Sequence, residues 1–387
     1  MTDLKPGWER VSFGEVVRLV RETCKDPIAE GIERVIGLEH LEPGDLRVRS
    51  WGAATEGTTF TSRVRPGQVL FGKRRAYQRK VAVADCDAVC SGDIYLFESA
   101  NPERLLPALL PFICQTDDFF EHAVGTSAGS LSPRTNWTSL AAYNFALPPL
   151  TEQFRAARAL TAARNAGESV NEVRQAARIL TSALVEDRLA KFRRDHPQVQ
   201  VTSLLSRLTV GIVVKPASWY TKGSEGIPAL RSLNVSPGSL VLDDLVHITR
   251  EGHDFHQKSQ LRGGDVAIVR TGRPGEAAVI PGDAGPMNCI DLIVTTPGEL
   301  LMPEYFVLLL NSAFGKQLFA SGAAGTAQQH FNVGGFRNFA IPLPPRDVQE
   351  AVVLEARSLQ DAADAAACRS SLCHSVVREI LRELTWQ

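Results

Sequence analysis

The chain has 387 residues, 44% hydrophobic and 22% charged, a balance typical of soluble globular proteins. Its length predicts two or more domains, and no apolar run approaches the roughly 20 residues that cross a bilayer. The N-terminal stretch MTDLKPGWERVSFGE lacks the apolar core of a signal peptide, so we expect a cytoplasmic protein. The formal net charge of −1 neither requires nor excludes nucleic acid, because such binding depends on local patches.

The sequence repeats itself at an offset close to 196 residues. The clearest pair is NFALPPLTEQ (144–153) and NFAIPLPPRDVQ (338–349), in which the Pro-Pro dipeptides and a following glutamine align. Three further landmarks keep the same order: LEPGDL with VSPGSL, RPGQVLFGKR with RGGDVAIVRT, and LPALLPFICQ with MPEYFVLLLN. Four ordered matches predict an internal duplication.

In chain order we predict a first body (1–150), a first long helix (151–196), a second body (197–345) and a second long helix (346–387). The bodies contain short apolar runs punctuated by Gly, Pro and Asp, which is typical of short strands joined by turns. Each body also contains one helical segment, around 103–122 and 303–320. The expected fold class is therefore α+β, with two duplicated α/β domains.

The two long helices are predicted from apolar stripes with 3-4 spacing, which two helices can share as a coiled-coil-like seam. The first stripe is Ala156, Ala159, Ala163, Ala166, Val170, Val173, Ala177, Leu180 and Leu184, and the second is Val352, Ala356, Leu359, Ala363, Ala366, Ser370, Cys373, Val377, Ile380 and Leu384. Thr151 and Asp347 are the expected N-caps. Pairing of equivalent helices predicts an antiparallel, pseudo-twofold spacer of roughly 65 Å at about 1.5 Å per residue. The alternative is that each helix covers only its own body.

A basic stretch of the first body, residues 63–80, contains no acidic residue and is a candidate for contacts with DNA. Its candidate residues are Arg63, Arg65, Lys73, Arg74, Arg75, Tyr77, Arg79 and Lys80. The second body has a thinner counterpart, with Arg270, Thr271 and Arg273 around the turn TGRPG. The alternative reading of each stretch is an ordinary solvated turn.

Two equivalent Gly-rich loops, GTSAGSLSPRTNW (125–137) and GTAQQHFNVGG (325–335), carry side chains that can bind base edges and phosphates. The candidates are Ser130, Arg134, Asn136, Gln328, Gln329, His330 and Asn332. An ordinary turn before a strand is the alternative.

Three familiar sequence signatures of catalysis are absent: GxxxxGK[ST], HExxH and a GxGxxG after a strand. The seven cysteines are unevenly spaced, without a CxxC pair, and we expect reduced structural thiols rather than a metal site. The histidines of VHITREGHDFH are expected to lie in a polar loop, with metal binding as the minor alternative.

The doubled layout resembles the specificity subunit of type I restriction-modification systems. The matching text is NFALPPLTEQ and NFAIPLPPRDVQEA, the PGQVLFGKRR and GGDVAIVRTGRPG turns, and the Gly-Thr loops, which together cover nearly the whole chain. The sequence departs from the usual family phrase where RDVQ replaces a Glu-Gln pair and where the first repeat lacks one proline. The departure from Glu-Gln puts a partner contact in doubt, and the helix start remains intact.

The resemblance implies two target-recognition domains that each read one half of a split double-stranded DNA sequence, with helices that dock partner subunits. It implies no catalysis and no cofactor in this chain. S-adenosylmethionine, ATP and Mg are expected in methyltransferase (M) and endonuclease (R) subunits. A duplicated protein-interaction scaffold without DNA readout remains the alternative, and a stand-alone nuclease or methyltransferase is disfavoured by the missing motifs.

Overall fold

The computed structural model describes residues 4–222, 226–322 and 331–385. Its contacts divide the chain into two units. The first unit is Met1–Asn171 with Cys368–Gln387, and the second is Glu172–Ala367. Each unit contains one sheet-rich body and part of both long helices.

The first body is built on two four-stranded sheets. The first sheet is antiparallel throughout, in the order Val17–Val20, Ile94–Ser99, Val69–Gly72 and Val81–Val83. The second has the order Gly52–Ala53, Arg34–Ile36, Ala88–Cys90 and Ser62–Val64, with one parallel pair between its middle strands. All four residues of strand Val69–Gly72 are buried, which explains why the run QVLFG is apolar without alternation.

Short helices cover the first sheet on its core side. They are Phe13–Val16, Leu110–Ile113, Asp117–Gly125 and Trp137–Ala141. The body also has 3-10 turns at Leu38–His40, Ala54–Glu56 and Ala76–Gln78. Buried aromatic rings fill the space between helices and sheet: Phe13 lies 4.8 Å from Phe119, and Phe71 lies 5.7 Å from Phe97, between ring centroids. The helical segment expected near 103–122 is therefore two helices, broken between Ile113 and Asp117.

The second body repeats this plan. Its antiparallel sheet has the order Leu205–Val210, Leu292–Pro297, Val266–Val269 and Ala277–Val279, which matches the first sheet of the first body strand for strand. A second sheet contains Tyr220–Thr221, Val246–Ile248, Ile227–Leu230 and Asn288–Cys289, and a two-stranded ribbon pairs Val235–Ser236 with Ser239–Leu240. The predicted duplication is thus visible in the topology.

The helices of the second body are Arg250–Phe255, Pro303–Asn311, Ala313–Gly322 and Val333–Arg337, with 3-10 turns at Val201–Leu204, Pro216–Trp219, Ser232–Asn234 and Gln257–Ser259. Tyr305, Phe306, Phe331 and Phe336 are fully buried among them. Again the helical segment expected at 303–320 is a pair of helices, because the chain leaves the helix at Ser312.

The repeated phrase forms the last strand of each body and the start of a long helix. Asn144–Leu147 pairs with Glu9–Ser12, and Ala340–Pro342 pairs with Gln198–Gln200, both antiparallel. The long helices are Leu150–Asp195 and Arg346–Thr385. The expected N-caps Thr151 and Asp347 are wrong, because both residues lie inside the first helical turn, after the Pro-Pro pairs.

In the first unit the beginning of the first long helix packs against the end of the second. Val377, Ile380 and Leu381 contact the core that contains Ala156, Ala157 and Leu160. Further along, Gly167 approaches Cys373 so closely that an added Cβ would lie 3.3 Å from the Cβ of Cys373. The direction of the second helix therefore opposes that of the first, as expected for antiparallel pairing.

In the second unit the end of the first long helix packs against the beginning of the second. Val185, Leu189 and Phe192 share one core with Val352 and Ala356. Arg188 Nη2 pairs with Glu355 Oε2 at 3.1 Å across the same two helices. The pairing of the long helices is confirmed inside each unit.

The second predicted stripe is correct: each position from Val352 to Ile380 is buried or half-buried, and Leu384 lies outside the described side chains. The first stripe is correct only at every other position. Its intermediate members Ala159, Ala166, Val173 and Leu180 are exposed, and Leu160, Gly167, Arg174 and Thr181 are turned inward instead. The spacing is 4-3 rather than 3-4, and it brings a glycine into the seam at the close approach to Cys373.

Within the described parts of the chain, none of the helices combines the length and apolar character needed to cross a membrane. All seven cysteines are free thiols. Burial raises the pKa of Cys90 and of Cys289 to about 12, so both thiols are protonated and inert at neutral pH.

Candidate nucleic-acid interface

In the first body, two loops that are distant in sequence lie against each other. The first is the basic turn (residues 73–80), and the second is the Gly-Thr loop (residues 125–136). The N–H of Thr135 donates to the carbonyl of Lys73 at 3.0 Å, and the N–H of Arg75 donates to that of Pro133 at 2.7 Å. Arg74 and Arg134 form an isolated β-bridge between them. Two separately predicted candidate segments thus form one surface, which we call the loop pair.

The carboxylate of Asp93 links the two loops of the loop pair. Its Oδ2 accepts from Arg74 Nη1 at 3.3 Å, and its Oδ1 accepts from Arg134 Nε at 2.8 Å. The hydrogen bond from Arg134 is the main cause that keeps the pKa of Asp93 below its usual value, and Arg74 adds to it. One carboxylate serves two guanidinium groups, and both arginine side chains remain partly exposed. A positive charge is therefore left over for an anionic partner.

Ser132 supplies a further link, since its hydroxyl accepts from Arg74 Nη2 at 3.1 Å and from Arg75 Nη2 at 3.4 Å. Three arginines from two loops are thus oriented by one serine and one aspartate. Guanidinium groups fixed in this way are suited to bidentate contacts with phosphates or with the O6 and N7 of guanine.

The basic turn has a conformation that exposes its aromatic residue. Arg75 and Arg79 adopt left-handed backbone angles, with φ of 53° and 55°, which cost roughly 1–2 kcal/mol for each non-glycine residue. They flank the 3-10 turn Ala76–Gln78. Ala76 is buried beneath the turn, and the side chain of Tyr77 points outward, 56% exposed. Strain of this kind persists where the surroundings impose it, and it is common at binding sites.

The other cations of the basic turn are tied to the body. Arg79 pairs with Asp117 at 2.6 Å and lies 4.7 Å from the ring of Phe120. Lys80 Nζ donates to the carbonyl of Leu38 at 2.7 Å, and Lys73 Nζ lies over the ring of Tyr95. These contacts position the turn.

Arg63 and Arg65 are not brought into the loop pair. Both lie at strand Ser62–Val64, where acidic residues from other parts of the first body surround them. Arg63 is ion-paired with Glu22, Glu30 and Asp87, and only 16% of its side chain is exposed. Arg65 donates to both carboxylate oxygens of Glu22 and holds the pKa of that acid below its usual value. The basic stretch of the sequence therefore has two parts in the fold: Arg63 and Arg65 are neutralised by acidic residues, and residues 73–80 form the basic turn.

The second body places Arg270 at the position of Lys73 and Thr271 at the position of Arg74. Arg270 Nη1 pairs with Asp291 at 3.4 Å, and Thr271 Oγ1 donates to the other oxygen of Asp291 at 3.1 Å. The N–H of Phe331 donates to the carbonyl of Arg270 at 2.8 Å. Arg270 itself is only 8% exposed. An aspartate-arginine pair recurs, but here the arginine comes from the preceding position of the turn and is buried.

Arg273 of the TGRPG turn pairs with Glu276 at 2.7 Å and keeps half of its side chain exposed. Gln328, Gln329 and His330 of the second Gly-Thr loop lie outside the described residues. Each described cation of this turn thus faces one carboxylate, in contrast to the shared Asp93 of the first body.

Asn136 and Asn332 occupy equivalent positions as helix N-caps. The Oδ1 of Asn136 accepts from the N–H of Ser139 at 2.9 Å, and the Oδ1 of Asn332 accepts from that of Gly335 at 2.8 Å. Such caps stabilise a helix by about 1 kcal/mol. Ser130, at the tip of the first Gly-Thr loop, is exposed. Contacts of these residues with DNA remain predictions.

Sequence reasoning missed the two aspartates that organise the site. Asp93 and Asp291 each stand immediately before the central strand of the main sheet, in SGDIYLF and CIDLIV. That shared position in two equivalent apolar runs was the available signal. The histidine cluster does not converge on a metal site: among residues with described placement, no group of three His, Cys, Asp or Glu could hold an ion.

No protein-family model matches the chain. In the curated comparison, the type I restriction enzyme EcoDI specificity subunit of Escherichia coli is 25% identical over 180 residues. That alignment covers 41% of this chain and 39% of the relative, so the chain matches about two fifths of the relative's length.

The solved structures that match over almost the whole chain include two with TM-scores above 0.5. A chain from a study of complex assembly and conformational transition of the type I R-M system has a TM-score of 0.58 at 18% identity, covering 99% of both chains. The S subunit of a type I restriction-modification system from M. genitalium has a TM-score of 0.63 at 12% identity, covering 100% of this chain and 98% of that one.

At these identities the structural likeness concerns the fold. It agrees with the partial sequence match, and both agree with the resemblance found in the repeated motifs. The chain has the fold of the specificity subunits of type I restriction-modification systems and resembles one of them in sequence.

Proposed function

We propose that this chain is the sequence-specific DNA-recognition subunit of a type I restriction-modification complex. In this proposal it reads an asymmetric, bipartite DNA target and positions adenine methyltransferase and endonuclease subunits. The observation that carries the proposal is the loop pair of the first body, together with its differently charged counterpart in the second. The likeness to type I specificity subunits supports it.

The chemistry of the loop pair suits DNA. Arg74, Arg75 and Arg134 are oriented by Asp93 and Ser132 and keep a surplus of positive charge. Positive charge neutralises phosphates, and a planar guanidinium fork distinguishes guanine in the major groove. The exposed ring of Tyr77 adds a surface for apolar contact with bases or sugars.

A split target follows from two bodies joined by long helices. The first long helix has 46 residues, or roughly 70 Å at about 1.5 Å per residue. One turn of DNA spans about 34 Å, so readers attached to such helices could address sites one to two turns apart. Because the loops of the two bodies differ, we expect two unlike half-sites with an unread gap of several base pairs.

The helices also supply surface for partner subunits. Val173, Ile179 and Leu180 of the first helix are each more than half exposed within the second unit. Exposed apolar side chains on one helix face indicate a protein-binding surface. We propose that M subunits dock here, that the R subunit joins through them, and that S-adenosylmethionine, ATP and Mg act in those subunits. This chain then contributes recognition without catalysis.

The decisive experiment is modified-base sequencing of DNA from cells with and without this chain. The proposal expects an adenine-methylated bipartite motif that disappears with the gene. A contiguous, unsplit motif would contradict it. For the alternative of a protein-interaction scaffold, DNA binding by the assembled complex should not depend sharply on salt. For the reader, affinity should fall steeply as salt rises, because counterions are released from the phosphates.

A further inference from the structure

A single buried glutamine ties each body to its long helix, and the two glutamines make the same three hydrogen bonds. Gln153 Nε2 donates to the carbonyls of Arg104 and Pro148, each at 2.8 Å, and its Oε1 accepts from the N–H of Leu106 at 2.8 Å. Gln349 Nε2 donates to the carbonyls of Leu300 and Pro344, and its Oε1 accepts from the N–H of Met302, all at 2.9 Å.

These contacts repeat residue for residue at an offset of 196. The partner residues are not the same in the two bodies, since Arg104 corresponds to Leu300 and Leu106 to Met302. Only the glutamine and the proline have been kept alike, and only backbone groups of the partners are used. The duplicated feature is therefore the glutamine bridge itself.

The glutamine bridge lies where each long helix meets its body, and we call this connection the joint. Each glutamine lies in the first turn of a long helix, and each is at most 1% exposed. One of its partners is the Pro-Pro segment that leads into the helix, and the other two lie in the loop before the body's short helices. The bridge connects three segments, so the helix cannot change direction relative to its own body without breaking hydrogen bonds that have no water to replace them.

We propose that Gln153 and Gln349 are positioning residues that fix the direction in which each long helix leaves its body, and thereby the gap between the two DNA half-sites. This inference rests on the proposed function. A primary amide suits the task because it donates two hydrogen bonds and accepts one at the same end of a side chain. Methionine has a similar length but cannot make these bonds, and asparagine keeps the amide but is one methylene too short.

The test uses the full chain assembled with its methyltransferase subunits and DNA duplexes that carry its motif with the natural gap or with one base pair more or less. The wild-type complex should prefer the natural gap. In Gln153→Met and Gln349→Met the ratio of affinities between natural and altered gaps should fall, by about fivefold or more. Gln153→Asn serves if the methionine variant does not fold. Discrimination against base changes within each half-site should persist.

Gln68→Met is the matched control. Gln68 is also buried, accepts from the N–H of Arg65 and donates to Glu98, and both partners belong to the body. This variant should lose stability while keeping the wild-type gap preference. Hydrogen exchange at the Leu106 and Met302 amides should accelerate in the respective joint variants and not in the control.

An unchanged gap preference in folded joint variants would overturn the inference while leaving the proposed function intact. An equal loss of gap preference in Gln68→Met would also overturn it, because general destabilisation would then explain the effect. A wild-type complex that shows neither base nor gap preference would overturn the proposed function, and the inference with it.

Discussion

The two bodies share one scaffold but present different electrostatics at the same place. In the first body, Asp93 is shared between Arg74 and Arg134, both partly exposed. In the second, Asp291 is paired with Arg270, which is nearly buried, and Arg273 has its own partner in Glu276. Both bodies thus place an aspartate-arginine pair at this turn, whereas among the residues whose placement is described the shared carboxylate with surplus positive charge lies in the first body.

The largest effect is expected from Arg74→Ala combined with Arg75→Ala. We expect a loss of about 1–3 kcal/mol in binding for each base-reading contact removed, and relaxed recognition in one half-site only. Electrophoretic or fluorescence titration with duplexes altered in either half measures this. Arg18→Ala, which removes a guanidinium paired with Glu98 elsewhere in the body, is the matched control. Equal loss of affinity at both half-sites would contradict the claim that the first body reads only one of them.

A loss of binding free energy of similar size is expected for Leu180→Lys, but in the binding of the M subunit rather than of DNA. Leu180→Lys places a charge at a side chain that is 56% exposed, so the isolated chain should keep its unfolding midpoint. If this face docks a partner, binding of the M subunit should weaken by about 2 kcal/mol or more, as at an interface hot spot. Ile28→Lys, at an equally exposed site of the first body, should leave assembly unchanged. Normal co-purification of Leu180→Lys with M would contradict the docking surface.

A smaller effect is expected for Asp93→Asn, which tests the shared carboxylate. The pKa of Asp93 is lowered in the folded chain, so its ionised form stabilises the fold at neutral pH. That contribution is complete above the ordinary aspartate pKa near 4 and disappears as pH falls through the lowered value. The variant should unfold about 2–3 °C below wild type at pH 7.

The effect of Asp93→Asn on the unfolding midpoint should also depend on pH in a defined direction. The difference in unfolding midpoint between wild type and Asp93→Asn should shrink as pH falls below the ordinary aspartate range. Calorimetry across pH 3–7 provides the measurement. A difference that grows on acidification would show that Asp93 acts through something other than its charge.

The smallest difference between the two bodies is expected in the reactivity of their buried cysteines, because the two cores are alike. Cys90 and Cys289 end equivalent strands, and burial raises the pKa of each to about 12. Both should resist alkylation in the native chain at pH 7–8, whereas the exposed Cys368 should react. Mass spectrometry after brief iodoacetamide treatment compares them. Faster labelling of one buried cysteine would show that one body opens more readily than the other.

The sequence was sufficient for the duplication and for the long helices, because repeated phrases and apolar periodicity are local signals. It was sufficient for the second stripe from Val352 to Ile380, where the large apolar residues leave little choice of phase. The first stripe was half wrong because alanines stand on several faces of that helix. A buried glycine, Gly167, decides the seam through close approach to Cys373, and no propensity rule marks such a position.

The site was predicted in its segments but not in its pairing. Arg74 and Arg134 were both candidates, yet their meeting over Asp93 depends on strand order, which a single sequence does not specify. Arg63 and Arg65 were grouped with them because sequence proximity hides the acids that neutralise them, of which Glu22 and Asp87 come from other strands and loops. Charge balance is a property of the folded surface.

Separate reading of two half-sites is tested most directly by modified-base sequencing of cells that carry the wild-type chain or the Arg74→Ala, Arg75→Ala variant. We expect a bipartite methylated motif with the wild-type chain. With the variant we expect the same motif with one half degenerate and with the other half and the gap unchanged. A contiguous motif, or degeneracy of both halves together, would contradict the division of reading between two bodies.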